Sequence, residues 1–342
     1  MSSGGWRLPL PLTHLPCDAT ACVKCGKNGA KFKCSRCLIT CYCTKQCQEN
    51  HWPIHKKPCK TFREQEDKAR QQLDRNNRLF YASLDGDEPT VTAMIAEGAE
   101  VDWIEAQSRF TSLIVAGQMG HLPVVNALVA ARAVVDRVNF QGCTALMMAA
   151  QNGHEAVVEA LLRVGASVHY ISSEGRRALH YAAQNGHAGI VRILIRAGAP
   201  PNVPGTNGDE EIPLTLASAL GHLAVVQVLI ESGANVSFTR PSDRLSPLIL
   251  SAQFGHFQVV RALLAAGANV DHTNHQGATA LILASQEGHI EIVEALLAAN
   301  ADPRIVAPNG ETALSMAKTK KHPAVIALLE ARLSELPVAD SA

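Results

Sequence analysis

The 342-residue chain has few aromatic residues, no net charge and no long apolar run, and each absence excludes a class of protein. Aromatic side chains make up 4% of a sequence that is 47% hydrophobic, so small aliphatic residues must fill the core. Lysine and arginine total 31, as do aspartate and glutamate, which argues against a chain-wide surface for polyanions. No apolar run approaches the roughly 18 residues of a membrane-spanning helix, and a secretory signal is lacking. We therefore expect a soluble, intracellular protein.

Basic residues and cysteines are concentrated at one end of the chain. Residues 1–70 hold 13 lysines and arginines against five acidic residues, and the remaining residues hold 18 against 26. Nine of the ten cysteines lie before residue 60, and Cys143 is the exception. A dense cysteine block without a secretory signal indicates metal binding, because a reducing compartment does not maintain disulfides. The composition therefore predicts two modules.

The spacing of eight side chains predicts two closed zinc sites in the first module. These side chains form four pairs, with two intervening residues in the first two pairs and three in the others: Cys22/Cys25, Cys34/Cys37, Cys43/Cys47 and His55/Cys59. Each pair supplies half of a tetrahedral site, so two structural Zn²⁺ ions would use all eight groups. No coordination position would remain for an activated water, which argues against a hydrolytic centre. Spacing alone leaves open whether the pairs combine sequentially or alternately.

The residues between these ligands resemble a MYND-type zinc finger over positions 22–59. Cys-Ser-Arg-Cys at 34–37, Lys-Gln-Cys-Gln at 45–48 and His-Trp-Pro-Ile-His-Lys at 51–56 carry the resemblance. The resemblance implies alternating pairs, in which one ion is held by Cys22, Cys25, Cys43 and Cys47 and the other by Cys34, Cys37, His55 and Cys59. It also implies that short proline-containing peptides bind through Ser35, Gln48 and Trp52.

After a charged stretch at 60–77, which we predict to be a helical connector, the sequence becomes repetitive. Gly-His recurs at 120–121, 153–154, 186–187, 221–222, 255–256 and 288–289, in steps of 33 to 35 residues. In each unit an apolar stretch ends at this glycine, and apolar residues then recur at helical spacing, as at Val157, Val158, Leu161 and Leu162. Such helix pairs bury their apolar faces only by stacking, so the pattern predicts an array.

The repeating units resemble ankyrin repeats over residues 78–335. Ala-Ala, Gly-His, Val-Val or its variants, Leu-Leu and Gly-Ala occur in that order, and the Leu-His of the consensus remains only at 179–180. The resemblance implies a mainly α fold, an ankyrin-repeat α-solenoid of about eight repeats including caps, with a small N-terminal two-zinc MYND finger. Residues 1–21 are predicted to be a disordered leader and residues 336–342 a tail. The chain as a whole resembles the ankyrin repeat and MYND domain-containing family.

In an ankyrin-like stack, hairpin tips and first helices line a concave face that can bind a partner. Two rows of first-helix residues are candidates for this face. The apolar row includes Met148 and Tyr181, and the glutamine row includes Gln151, Gln184, Gln253 and Gln286. Burial between repeats is an equally good interpretation of the apolar row. The Gly-His histidines are interpreted as local hydrogen-bonding and helix-entry residues rather than as metal ligands.

No catalytic motif is found in the sequence, which lacks a phosphate-binding GxxxxGK[ST] loop, a GxSxG elbow and the kinase set. We therefore predict no enzyme and no small-molecule substrate. The predicted function is a non-catalytic adaptor of the cytoplasm or nucleus, with proline-containing peptides at the zinc finger and a second protein on the repeats. The alternatives are a nucleic-acid-associated transcriptional regulator with a basic head, and a ubiquitin-ligase-like zinc module. The order of the ligands disfavours the latter, because the only histidine is the seventh of eight.

Overall fold

The computed structural model describes residues 32–33, 41–42 and 45–335, except 207 and 209. For residues 32–33, 41–42, 45–59, 62 and 63 it describes only the backbone. The chain divides into two compact units, Met1–Arg75 and Asn76–Ala342. In the first unit, the strands β1 (Phe32–Lys33) and β2 (Cys41–Tyr42) pair antiparallel. Helix α1 (Lys45–Asp85) begins in this unit, includes the predicted connector, and ends in the second unit. The predicted leader and tail lie outside the described residues.

The second unit consists of eight helix pairs among the described residues, and the end of α1 forms the first pair with α2 (Glu88–Ala96). The later first helices are α3 (Ser112–Met119), α5 (Ala145–Asn152), α7 (Ala178–Gln184), α9 (Pro213–Ala219), α11 (Pro247–Gln253), α13 (Ala280–Glu287) and α15 (Ala313–Lys320). The later second helices are α4 (Leu122–Ala130), α6 (Glu155–Arg163), α8 (Ala188–Arg196), α10 (Leu223–Glu231), α12 (Phe257–Ala265), α14 (Ile290–Ala298) and α16 (Pro323–Glu335). The predicted mainly α fold and the number of repeats are confirmed.

Stacking of like helices builds one continuous core through the repeats. First helices pack on first helices and second helices on second helices. In the pair α5/α6, Ala149 and Ala150 are fully buried on the first helix, and Val157, Val158 and Leu161 are at most 1% exposed on the second. Alanine allows the close approach of neighbouring first helices, whereas the branched residues fill the wider space between second helices. The small aliphatic composition therefore suits this mode of packing.

A serine or threonine hydroxyl caps the N-terminus of most of the first helices. In five of them the side chain of the N-cap residue accepts a hydrogen bond from the backbone N–H three residues later: Thr111, Thr144, Ser246, Thr279 and Thr312. This bond satisfies one of the N–H groups that the first turn of a helix leaves without a partner. The recurring threonine in the sequence thus has a local structural cause.

Each of the later first helices is preceded by a hairpin that a backbone hydrogen bond closes. In the hairpin before α5 the Asn139 N–H donates to the Cys143 carbonyl, and in the hairpin before α7 the Ser172 N–H donates to the Arg176 carbonyl. The hairpin before α9 is longer, because its closing bond joins the Gly205 N–H to Glu211. The extra residues of the 35-residue step therefore lie in this hairpin.

A histidine at the start of each later second helix joins its repeat to the one before. Its Nε2 lies 2.9–3.2 Å from a backbone carbonyl oxygen in the first helix of the preceding repeat, as between His154 and Gln118 or between His256 and Ala219. The ring lies over the glycine of the preceding repeat, where φ is positive and a Cβ would contact the imidazole. The histidines lie at the start of the second helices as predicted, but the prediction of local hydrogen bonds is wrong, because each partner belongs to the neighbouring repeat.

Candidate protein-interaction surface

The predicted zinc finger is described in part. Helix α1 contains three of the predicted ligands and two of the predicted peptide contacts: Cys47, His55, Cys59, Gln48 and Trp52. The other predicted residues lie outside the described residues: Cys22, Cys25, Cys34, Cys37, Cys43 and Ser35. Seven thiolates and one imidazole are the donor types that closed structural zinc sites use, so the chemistry of the set fits Zn²⁺. Where side chains are described, no three acidic, cysteine or histidine residues are grouped to hold a metal ion.

Met148 and Tyr181 are core residues, which corrects the expectation that they lie on an accessible face. Each is 5% exposed, and both belong to the hydrophobic core of the repeats. The equivalent Val115, Leu216 and Leu250 are buried to the same extent. The physical reason is the stacking of first helices, which covers this position with the neighbouring repeat. Of the two interpretations of the apolar row, the structure therefore favours packing.

The hydroxyl of Tyr181 has polar partners within the protein. It lies 2.9 Å from Ser172 Oγ and 3.1 Å from a carboxylate oxygen of Glu174, and the Cys143 sulfur lies 3.7 Å from it. Burial raises the pKa of Tyr181 and also the pKa of Cys143. Both groups therefore stay protonated near neutral pH, and the Cys143 thiol is a poor nucleophile.

The predicted glutamine row remains accessible. Gln151 is exposed, and Gln184, Gln253 and Gln286 are partly exposed. The backbone carbonyls of all four lie within hydrogen-bonding distance of a histidine ring of the next repeat. The Gln184 side chain also accepts a hydrogen bond of 2.7 Å from Arg176. Their role as contacts for a partner stays a prediction.

The sequence analysis missed an ionic network that joins three successive hairpins. Arg240 Nη1 lies 2.9 Å from one carboxylate oxygen of Glu211, and Arg176 Nη2 lies 3.6 Å from the other. Arg240 also pairs with Asp243. Partial burial alone would raise the pKa of Asp243. The hydrogen bonds from Arg240 and from the Leu245 N–H, together with the charge of Arg240, outweigh burial and lower that pKa. A signal was available, because Arg176 and Glu211 each directly precede an N-cap residue and so occupy equivalent positions in adjacent repeats.

His180 replaces the missing hydroxyl cap of α7. Its Nδ1 accepts a hydrogen bond from the Arg177 backbone N–H, so Nε2 carries the proton that is donated to the Val203 carbonyl, 2.9 Å away. The side chain is 1% exposed, and burial lowers its pKa to about 4. His180 is therefore neutral at physiological pH and fastens α7 to the long hairpin before α9.

Exposed large apolar side chains are distributed unevenly over the repeats. Among the described residues there are eleven, and eight of them lie in hairpins or at the C-terminal ends of first helices: Met119, Val138, Phe140, Tyr170, Ile171, Leu220, Phe254 and Val306. None lies in a second helix. Clustered exposed apolar side chains are typical of protein-interaction surfaces. The hairpin and first-helix face is therefore the candidate interaction surface of the repeats.

The described helices give no sign of a membrane span, since none of them is both long enough and apolar enough to cross a bilayer.

Comparison with known protein families finds two matches. The model of ankyrin repeats matches three times, over residues 79–172, 146–240 and 214–307. The MYND finger model matches residues 22–59. The two matches cover the modules that composition and spacing separate, in the same order along the chain.

One curated protein and one solved structure also resemble parts of this chain. Dauer abnormal formation protein 25 of Caenorhabditis elegans is 50% identical over 38 residues, which are 11% of this chain and 10% of that protein. The chain therefore matches about a tenth of the length of this curated relative. The crystal structure of the human ASB11 ankyrin repeat domain matches with a TM-score of 0.60 and 27% identity, over 67% of this chain and 100% of that chain.

Proposed function

Because the chain belongs to the ankyrin-repeat family and has a MYND finger at residues 22–59, we propose that it is a non-catalytic adaptor that binds two different proteins. The zinc-finger head takes a proline-containing peptide, and the repeats take a second protein. The observation that carries the proposal for the repeats is the concentration of exposed apolar side chains on the hairpin and first-helix face. The adaptor acts in the cytoplasm or nucleus, where cysteines stay reduced for zinc.

Two structural zinc ions hold the head, in the alternating arrangement. Cys47 and Cys59 are 12 residues apart in the continuous helix α1, so about 18 Å separate their Cα atoms along the axis. Two thiolates that share one Zn²⁺ each lie about 2.3 Å from it, and cysteine side chains are too short to span the remaining distance. The length of α1 therefore supports assigning Cys47 and Cys59 to different ions. When bound, the ions supply the cross-links that so short a segment needs in place of a large core.

The proline-containing peptide contacts the head through Ser35, Gln48 and Trp52. An aromatic face is a favourable surface for a proline ring, and the extended conformation of proline-rich peptides lowers the entropic cost of binding. The test is to select binders from a library of peptides with fixed prolines and then to measure their affinity for the Trp52→Ala chain. We expect loss of binding while the zinc content stays at two ions per chain.

Trp6→Ala is the matched control for this test, because it removes a tryptophan outside residues 22–59. It should leave the affinity for the peptide unchanged. Equal affinity of the wild-type and Trp52→Ala chains would refute the assignment of the peptide site. A zinc content below two ions in the wild-type chain would refute the assignment of the ligands.

A further inference from the structure

We propose that an apolar patch on two neighbouring hairpins of the repeats is the docking site for an acidic, apolar polypeptide segment. The patch consists of Val138 and Phe140 in the hairpin before α5 and of Tyr170 and Ile171 in the hairpin before α7. The inference rests on the proposed function, because it gives a partner class to the second of the two binding surfaces.

The four side chains of the patch are unusually accessible for their type. Phe140 is 76% exposed, and Val138, Tyr170 and Ile171 are 37%, 40% and 41% exposed. Apolar surface of this kind gains free energy when a partner removes it from water. A partner that covers these four side chains therefore obtains the apolar contact that anchors most protein interfaces.

The two hairpins lie side by side. The Ser173 N–H donates to the Gln141 carbonyl at 2.9 Å, and the Ser173 hydroxyl donates to the same oxygen at 2.6 Å. These bonds join the tip of one hairpin to the tip of the next. A single extended segment can therefore contact both halves of the patch.

The fold does not require apolar residues in this place. The corresponding positions in the hairpin before α11 hold Arg240 and Ser242, and those in the hairpin before α13 hold Thr273 and His275. Those hairpins close with the same kind of backbone bond. Val306, before α15, is also exposed and apolar at the position of Val138 and Ile171. What distinguishes the patch is that two adjacent hairpins together carry four such side chains.

Two arginines flank the patch. Arg137 directly precedes Val138, and Arg109 follows Ser108, whose carbonyl accepts a hydrogen bond from the Phe140 N–H at 3.2 Å. Both arginines are exposed, and neither has an ion pair with any side chain in the described part of the chain. A carboxylate on a partner can pair with an exposed guanidinium without breaking an internal contact.

The nearby carboxylates already have partners within the repeats. Glu105 accepts hydrogen bonds from Gln107 and Ser108, which outweigh its partial burial and lower its pKa. Asp136 accepts from the Ser167 N–H, and Glu174, at the edge of the patch, accepts from the Tyr181 hydroxyl. These hydrogen bonds hold the carboxylates in place but leave them charged. Arg109 and Arg137 are exposed and have no ion pair within the described part of the chain, so they can pair with acidic side chains on the partner.

The test is a selection of random peptides on the full-length chain that carries Trp52→Ala, which separates this site from the zinc-finger head. Enriched peptides are synthesised, and their affinities are measured by fluorescence anisotropy. The variants are Phe140→Ser and the pair Arg109→Glu with Arg137→Glu. The matched controls are Val164→Ser and Arg196→Glu, because Val164 is 44% exposed outside the patch and Arg196 is an exposed arginine on α8. A single-stranded oligonucleotide is a further probe.

We expect the enriched peptides to combine apolar residues with aspartate and glutamate. Phe140→Ser and the arginine pair should each weaken binding at least about tenfold, whereas the controls should change it less than about twofold. All variants should melt within about 2 °C of the parent, because the changed side chains are exposed. Added salt should weaken the binding of the parent but not the residual binding of the arginine variant.

Several results would overturn the proposal. These are no enrichment, enriched peptides without acidic residues, equal losses in the Val164→Ser control, or binding of the oligonucleotide at the patch in place of peptides. Failure of the zinc-finger proposal is distinguishable from failure of this one. The zinc-finger proposal fails if the wild-type and Trp52→Ala chains bind the proline-containing peptides equally well, whereas the patch is tested entirely on the Trp52→Ala chain.

Discussion

The contact between glycine and histidine across repeats predicts a difference between two alanine substitutions in the same repeat. Gly221 and Gly233 have nearly equal positive φ angles, 75° and 80°. A Cβ at Gly221 would lie 2.5 Å from His256 Nδ1 and 2.8 Å from its Cε1, whereas a Cβ at Gly233 would meet nothing within 4 Å. The two substitutions therefore share the cost of a left-handed backbone and differ in the contact.

The expected magnitudes follow from these two terms. Left-handed backbone costs an ordinary residue roughly 1–2 kcal/mol, and the loss of chain entropy in the unfolded state offsets part of that cost. Gly233→Ala should therefore lower the free energy of unfolding by about 1 kcal/mol. Gly221→Ala also displaces His256, whose Nε2 lies 2.9 Å from the Ala219 carbonyl. Loss of that bond and of ring packing adds about 2 kcal/mol, for a total of about 3 kcal/mol.

Urea unfolding followed by circular dichroism measures both variants, with zinc present throughout. The double variant with Gly221→Ala and His256→Ala separates the terms, because the imidazole no longer obstructs the new methyl group. Its cost should be lower than the sum of the two single costs by about 1 kcal/mol or more. Equal effects of Gly221→Ala and Gly233→Ala, to within about 0.5 kcal/mol, would show that the histidine contact contributes nothing.

Three further predictions concern the core, the pH and the metal. Ser218→Ala should stabilise the protein by about 1 kcal/mol in urea unfolding, because the buried Ser218 hydroxyl has no hydrogen-bond partner among the described residues. Ser251→Ala is the control and should bring no gain, since the Ser251 hydroxyl donates to Leu248. Burial holds the pKa of His180 at about 4, so the stability that its neutral form provides is present above the unfolded pKa of about 6.5 and is lost as pH falls towards 4. His180→Asn should reduce this decline in unfolding free energy, and an unchanged pH profile would refute the role of His180. Chelation of zinc should leave most of the helical circular dichroism signal, because the predicted ligands of the described helices all lie in α1 and helices α2–α16 contain none of them. Collapse of the whole signal would contradict this.

Local patterns made most of the repeat architecture predictable. Glycine ends the first helix, a hydroxyl or proline begins it, and paired branched residues recur on the second helix, all at spacings of a few residues. These signals depend on backbone geometry and on the burial of one helix face, which act within a single unit. The Gly-His histidines were correctly placed at the start of the second helices for the same reason, since that place is a local property. Their hydrogen bonds were wrongly predicted to be local, because the partners lie in the preceding repeat.

Contacts between units were beyond the reach of local patterns. Whether Met148 and Tyr181 face a partner or a neighbouring repeat depends on how closely first helices stack, and stacking buries both residues. Arg176, Glu211 and Arg240 are far apart in sequence, and only adjacent hairpins bring them together. The patch of Val138, Phe140, Tyr170 and Ile171 was likewise found from exposure, because apolar residues in a sequence indicate a core until packing leaves them outside it.

The amino-acid sequence by itself determined the two modules, the repeat length and the chemical types of the predicted zinc ligands, because each follows from composition and short-range spacing. Only the tertiary structure decided which side chains of the repeats fill the core, which bond across repeats and which remain on the surface. The physical reason is that burial and long-range hydrogen bonds depend on the distance between units, which a periodic sequence leaves open until the units stack.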